Sequence, residues 1–154
     1  MYPVEKDDTD AMLAVRLGLS QGCREFFLYG ALDGPRLDHT VANFQTLAFL
    51  CEHGARGWLI GKDSVITVAS EETLHFSPEF TGILSLFCLG APIEDLSIRG
   101  LKYPLEHGRL SPAFPLAVSN AFLGAEAEVS VGSGLLLAMW DRENGLCRRE
   151  GIDC

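Results

Sequence analysis

The hydrophobic period of this chain changes once, near residues 61–70, and that change limits the fold more than any other feature. Before it, helical and strand patterns alternate. Thr9 to Leu19 carries Ala11, Met12, Leu13, Val15 and Leu19 at three- and four-residue spacings and stops at Gly22. This predicts a short amphipathic helix with Asp7 or Asp8 as its N-cap. Phe26 to Tyr29 predicts a short buried strand, followed by a turn-rich loop from Gly30 to Arg36. A second helix is expected from Asp38 to His53, with Val41, Phe44, Leu47, Ala48 and Cys51 on one face and Gly54 as its stop. Gly57 to Ile60 reads as another strand. Helices alternating with short, continuous apolar strands are the pattern of a parallel sheet.

After the change, only strands are expected. Val65 to Ala69, Thr73 to Phe76, Ile83 to Leu89, Asp95 to Arg99, Leu116 to Ser119, Glu126 to Val131 and Gly134 to Met139 are separated by Gly, Pro, Asp and Asn. That spacing is the mark of a sandwich or barrel. Asp141 to Gly145 contains an Asn-Gly hairpin signal. The expected fold class is therefore α/β followed by all-β: a partial parallel-sheet α/β unit over residues 1–63 and a β-sandwich over residues 64–154. Two helices and two strands leave a small sheet with an open edge. The α/β unit is therefore expected to be completed by another chain or by upstream sequence.

Charge narrows the partners. The 12 Lys and Arg against 21 Asp and Glu leave a net charge of −9, which argues against a nucleic-acid backbone as the main partner. It is compatible with a phosphorylated ligand held together with a hard cation. No apolar run approaches membrane-span length, and the acidic residues that follow Met1 are unlike a secretory signal. The five cysteines are widely spaced, as expected of reduced thiols in a cytoplasmic protein, with Cys88 in the core.

Two segments point to phosphate chemistry. Lys6-Asp7-Asp8-Thr9-Asp10 opens the first helix. Acidic residues there serve as caps, or Asp7 and Asp10 present hard oxygens to Mg2+. Gly30 to His39 lies at the carboxyl end of a predicted strand, where α/β sheets bind ligands. Its glycines allow close backbone approach, Arg36 can fork a phosphate, and Asp38 can cap the helix or bind metal. The loop lacks the spacing of a Walker motif. Ser119-Asn120 is either a strand-end turn or a hydrogen-bonding pair at a pocket mouth.

As an ordered set, Pro3-Val-Glu-Lys-Asp-Asp-Thr-Asp10, Arg36-Leu-Asp-His-Thr-Val-Ala-Asn43 with Gln45, Gly100-Leu-Lys-Tyr-Pro-Leu105 and Val118-Ser-Asn-Ala-Phe122 resemble the thiamine pyrophosphokinase (thiamine diphosphokinase) family. The resemblance implies a nucleotide-binding α/β unit, a thiamine-binding β-sandwich, and a homodimer with its site at the subunit junction. It implies ATP and thiamine as substrates and Mg2+ as cofactor. Asp10, Arg36 and Asp38 would be catalytic, Asp7 and Asp10 metal ligands, and Thr9, His39, Asn43, Gln45, Ser119 and Asn120 substrate contacts. Three departures stand out. The family's opening segment with Gly-Asp-Phe-Asp-Ser is not matched, so turnover by these residues alone is expected to be poor. Gly34-Pro35-Arg36 replaces Gly-Gly-Arg with an extra residue in the loop, and Ala121 replaces a glutamate. A dimeric thiamine-binding module without catalysis is the alternative.

Overall fold

The computed structural model describes residues 8–151. Its helices are α1 (Asp10–Ser20) and α2 (Leu37–Glu52). The strands are β1 (Glu25–Tyr29), β2 (Arg56–Ile60), β3 (Ser64–Ala69), β4 (Glu72–Phe76), β5 (Ile83–Leu89), β6 (Ile93–Arg99), β7 (Leu105–Leu110), β8 (Asn120–Ala121), β9 (Ala127–Val131), β10 (Leu135–Asp141) and β11 (Arg148–Gly151). They form a six-stranded sheet, β1-β2-β3-β10-β5-β8, and a five-stranded sheet, β11-β4-β9-β6-β7. The protein is mostly β, with two helices. Among the described residues, no helix is long and apolar enough to cross a membrane.

β1 and β2 are parallel, as the sequence predicts, with Phe26 opposite Gly57 and Leu28 opposite Leu59. β2 then turns at Gly61–Asp63 and pairs antiparallel with β3, Trp58 facing Thr67. The turn near residue 63 therefore lies within one continuous sheet.

Strand alternation divides the six-stranded sheet into two apolar faces. Trp58, Val65, Leu84, Leu86, Leu136, Ala138 and Trp140 point toward the five-stranded sheet, where Leu74, Phe76, Leu96, Ile98 and Val129 meet them. Leu59, Ile66, Val68 and Leu137 point the other way, under Leu47 of α2. Val15 of α1 packs with Leu50 and Ala55. Gly57 allows this close packing, since a Cβ there would lie 2.7 Å from the terminal methyls of Leu47 and Leu50, which would have to shift.

Several expectations need correction. Thr9, not Asp7 or Asp8, caps α1, its hydroxyl accepting the Met12 N–H at 3.2 Å. Asp7 lies outside the described residues. The buried stripe of α2 is Asn43, Thr46, Leu47 and Leu50, while Val41 is exposed. The helix is rotated so that the Asn43 amide reaches the Ala31 carbonyl and Leu47 and Leu50 cover Gly57. Leu116 to Ser119 is not a strand, and only Asn120–Ala121 pairs with β5. Arg142–Asn144 is a 3-10 turn that carries the chain from one sheet to the other, not a hairpin. The predicted strands omit β7 and β11, whose Leu-Glu-His-Gly-Arg-Leu and Arg-Arg-Glu-Gly sequences lack an apolar face. Of the cysteines described, Cys88 and Cys147 are buried, Cys51 is half-buried and Cys23 is exposed, all as free thiols.

Arg149 of β11 crosses the sandwich. It donates to Glu72 of β4 at 2.6 Å, to the Thr67 hydroxyl at 2.7 Å and to the Val68 carbonyl at 2.9 Å. Its guanidinium carbon sits 5.2 Å from the centre of the Trp58 ring. Because these side chains are buried, Arg149→Ala leaves a buried carboxylate and is expected to lower unfolding free energy by about 3–5 kcal/mol. Arg149→Met combined with Glu72→Leu removes both charges and is expected to recover most of that loss, as read by urea denaturation.

Candidate functional site

At the carboxyl end of β1, the chain turns at Gly30, whose φ is +73°, and runs through residues 31–36 into α2. A positive φ is costly for any residue with a Cβ, so glycine suits this position. The start of α1 lies alongside. The cleft between them has a volume of about 1300 Å3 and is lined by Asp8, Thr9, Asp10, Arg36, His39 and Asn43, among others. Three separate sequence segments thus converge on one concavity of ligand size. Phe27 and Tyr29 of β1 give it an apolar floor, and both are exposed.

Each side chain has a defined state. Asn43 is buried and donates to the Ala31 carbonyl at 2.8 Å, fixing the base of the loop. The Thr9 hydroxyl is used in capping α1. Asp8, which the sequence suggests only as a cap, accepts from Arg16 at 2.5 Å on the cleft wall. Arg36 forks Asp38, with Nε to Oδ1 at 3.1 Å and Nη2 to Oδ2 at 2.5 Å. Arg36 itself is the N-cap residue of α2, so Asp38 stands inside the first turn and not at the cap. Asp38 also accepts the His39 N–H at 3.0 Å. Hydrogen bonding from Arg36 holds the Asp38 carboxyl below the usual carboxylate range, and the same contact raises Arg36. The pair therefore persists at neutral pH and loosens only as pH falls below that range. Gln45 is exposed on α2 and does not line the cleft.

Ser119 and Asn120 lie elsewhere. β8 is the opposite edge of the six-stranded sheet from β1. Five strand spacings of about 4.8 Å put these edges roughly 24 Å apart. Asn120 is buried, and its amide clamps Tyr103, accepting the Tyr103 N–H at 2.9 Å and donating to its carbonyl at 2.8 Å. Ser119 has φ of +59° and donates its N–H to the Ser85 hydroxyl at 3.0 Å. The Gly100 to Leu105 stretch is the other half of this clamp. Gly100 has φ of +77°, and a Cβ there would strike the Glu126 carbonyl. Tyr103 is 58% exposed at this sheet edge. Asn120 therefore shapes this edge through Tyr103.

Comparison with known proteins places this architecture. Residues 65–136 match the family described as thiamin pyrophosphokinase, vitamin B1 binding domain. The thiamine pyrophosphokinase of Bacillus subtilis (strain 168) is 26% identical over 138 residues, which are 89% of this chain and 64% of that protein. The crystal structure of thiamine pyrophosphokinase from Bacillus subtilis superposes with a TM-score of 0.80 at 25% identity, covering 88% of this chain and 64% of that one. A thiamin pyrophosphokinase family protein from Enterococcus faecalis gives a TM-score of 0.75 at 27% identity, covering 92% and 67%. The fold, mostly β with two helices and two sheets, is thus shared with these solved structures. This chain is similar to the thiamine pyrophosphokinases over most of its length, and it spans 64% of the length of that curated relative.

The Asn120 clamp gives a direct test. Asn120→Ala leaves the Tyr103 N–H and carbonyl without their partner and is expected to lower stability by about 2 kcal/mol. Ser119→Gly, which removes a strained positive φ, is expected to be neutral or stabilising by thermal melting.

Proposed function

We propose that this chain carries out thiamine diphosphokinase chemistry, converting ATP and thiamine into AMP and thiamine diphosphate. The observation that supports this most is the convergence of Asp10, Arg36, His39 and Asn43 on one cleft, in a chain whose other half matches a vitamin B1 binding domain. In this reaction the thiamine hydroxyl oxygen bonds to the β-phosphorus of ATP. The bond from that phosphorus to the oxygen bridging to the α-phosphate breaks, AMP leaves with the electron pair, and the hydroxyl proton is released. Such transfers depend on positioning and charge neutralisation more than on a strong base.

Arg36 is the cation for the transferred group, because its fork suits phosphate oxygens as well as it suits Asp38. Asp38, bonded to Arg36 through both carboxylate oxygens, acts as the partner that aims the guanidinium. His39 and Asn43 line the nucleotide wall, with Asn43 fixing the loop. Mg2+ commonly takes one or two protein carboxylates together with substrate phosphates, and Asp8 and Asp10 on the cleft wall fit that donor set. Bound there, the ion would supply neutralisation of phosphate charge. Asp7, the other carboxylate expected from the sequence, lies outside the described residues.

Thiamine needs a second copy of the chain. The Ser119–Asn120 edge lies roughly 24 Å from the β1 edge within one protomer, too far for one small substrate to touch both. A homodimer that sets one copy's β8 edge against the partner's cleft brings the two halves together. It also covers exposed Phe27 and Tyr29 on one side and Tyr103, Leu116 and Leu123 on the other.

The test combines binding and turnover. The 154-residue chain is expected to bind ATP with Mg2+ and to bind thiamine by calorimetry, to sediment as a dimer, and to release AMP slowly by itself. Arg36→Ala should lower AMP release about a hundredfold, through lost transition-state charge stabilisation. Asp10→Asn should lower it as well. Ser119→Ala should mainly raise the KM for thiamine. Absence of both binding events would overturn the reading, and full thiamine affinity in a monomer would overturn the shared site.

A further inference from the structure

The loop from Gly30 to Arg36 is tied to distant sequence by two side-chain hydrogen bonds. One is Asn43 to the Ala31 carbonyl. The other uses Asp33, whose Oδ1 accepts the backbone N–H of Lys62 at 3.0 Å across 29 residues. Lys62 sits in the turn between β2 and β3. Leu32 presses on the same turn, and a Cβ at Gly61 would lie 2.9 Å from its Cδ1 and 3.1 Å from its Cβ. From the far side, Arg142 donates Nη1 to the Gly61 carbonyl at 2.8 Å and its backbone N–H to the Asp63 carbonyl at 3.0 Å. The turn is therefore gripped from both flanks and serves as a fixed post.

We infer that Asp33 is a positioning residue: by docking the loop on the β2–β3 turn, it sets where Arg36 stands in the cleft. Only Gly34 and Pro35 separate the two residues, and three steps of chain reach at most about 10 Å. Pro35 removes one of the soft torsions between them. Gly34 leaves the segment free to swing unless its start is pinned. Asp33 is itself exposed, so its removal leaves the core untouched. The consequence for ligand binding rests on the proposed nucleotide cleft, while the positioning does not.

The experiment compares the full chain with Asp33→Ala and Asp33→Asn by NMR and calorimetry. In Asp33→Ala the Lys62 amide is expected to exchange about tenfold faster or more. The Arg36 backbone N–H signal should shift as the loop loses its single position, while Nε–H stays paired with Asp38, and the Kd for ATP with Mg2+ should rise about tenfold. Asp33→Asn retains an acceptor oxygen and should restore all three. Unchanged Lys62 exchange or an unchanged Arg36 signal in Asp33→Ala would overturn the inference, as would Asp33→Asn behaving like alanine. If both NMR changes occur but no variant, nor the unaltered chain, binds the nucleotide, Asp33 keeps its positioning role and the nucleotide reading of the cleft falls.

Discussion

One buried cation holds the two sheets in register. Arg149 comes from the edge strand of the five-stranded sheet, yet its donors are spent on β3 and β4, and its face lies over a tryptophan of β2. Thr67, which accepts from Arg149, donates in turn to the Gly57 carbonyl at 2.6 Å. The chain of contacts runs from β11 to β3 to β2, and β2 carries β1. Since a guanidinium cannot shed its charge, losing only one partner of this network leaves an unpaired charge inside the sandwich. The parallel pair that bears the cleft is thereby fixed to the sandwich through hydrogen bonds and not only through apolar contact.

The same end of the six-stranded sheet collects every loop of interest. The carboxyl end of β1, the β2–β3 turn, the end of β10 and the start of β5 lie along one rim. Asn144 clamps Thr81 there through both N–H and carbonyl, at 2.9 Å each. Phe122 donates its N–H to the Gly82 carbonyl at 3.1 Å, which continues the rim to β8. Loops pinned this way lose little further entropy when a ligand arrives, which favours binding by a preorganised site. The arrangement places the cleft residues Asp10, Arg36, His39 and Asn43 and the Asn120–Tyr103 clamp at the two ends of one rim.

Much of this was legible in residue pattern. The parallel pair, both helices and most sandwich strands follow from apolar period, because packing on two faces leaves a continuous apolar run. β7 and β11 were not legible, because one edge strand carries Gly and His and the other is almost wholly charged; pairing partners decide them. The exposure of Val41 was hidden for a related reason. Its spacing fits the apolar face, but a buried Asn43 must face Ala31, and a helix cannot satisfy both. Thr9, Asp10, Arg36, His39 and Asn43 line one cleft, whereas Asp38, Gln45, Ser119 and Asn120 are not among its lining residues. Asp33 and Arg142 carried no signal, since their partners are backbone atoms far away in sequence.

Polar groups here are largely satisfied within the chain. Asp38 holds Arg36, Asn120 holds Tyr103, and Asp8 holds Arg16. Any ligand must therefore exchange contacts and does not simply add them. For Arg36 the exchange is nearly balanced in geometry, since phosphate and carboxylate offer the same paired oxygens. It is not balanced in charge. A phosphate entering beside the Asp38 carboxylate meets repulsion unless a cation neutralises one of them. A cation held by Asp8 or Asp10 on the opposite wall lowers that cost, so metal and phosphate binding are expected to be mutually favourable, and by linkage each must strengthen the other equally. The exposed position of the pair keeps the coupling modest and sensitive to salt.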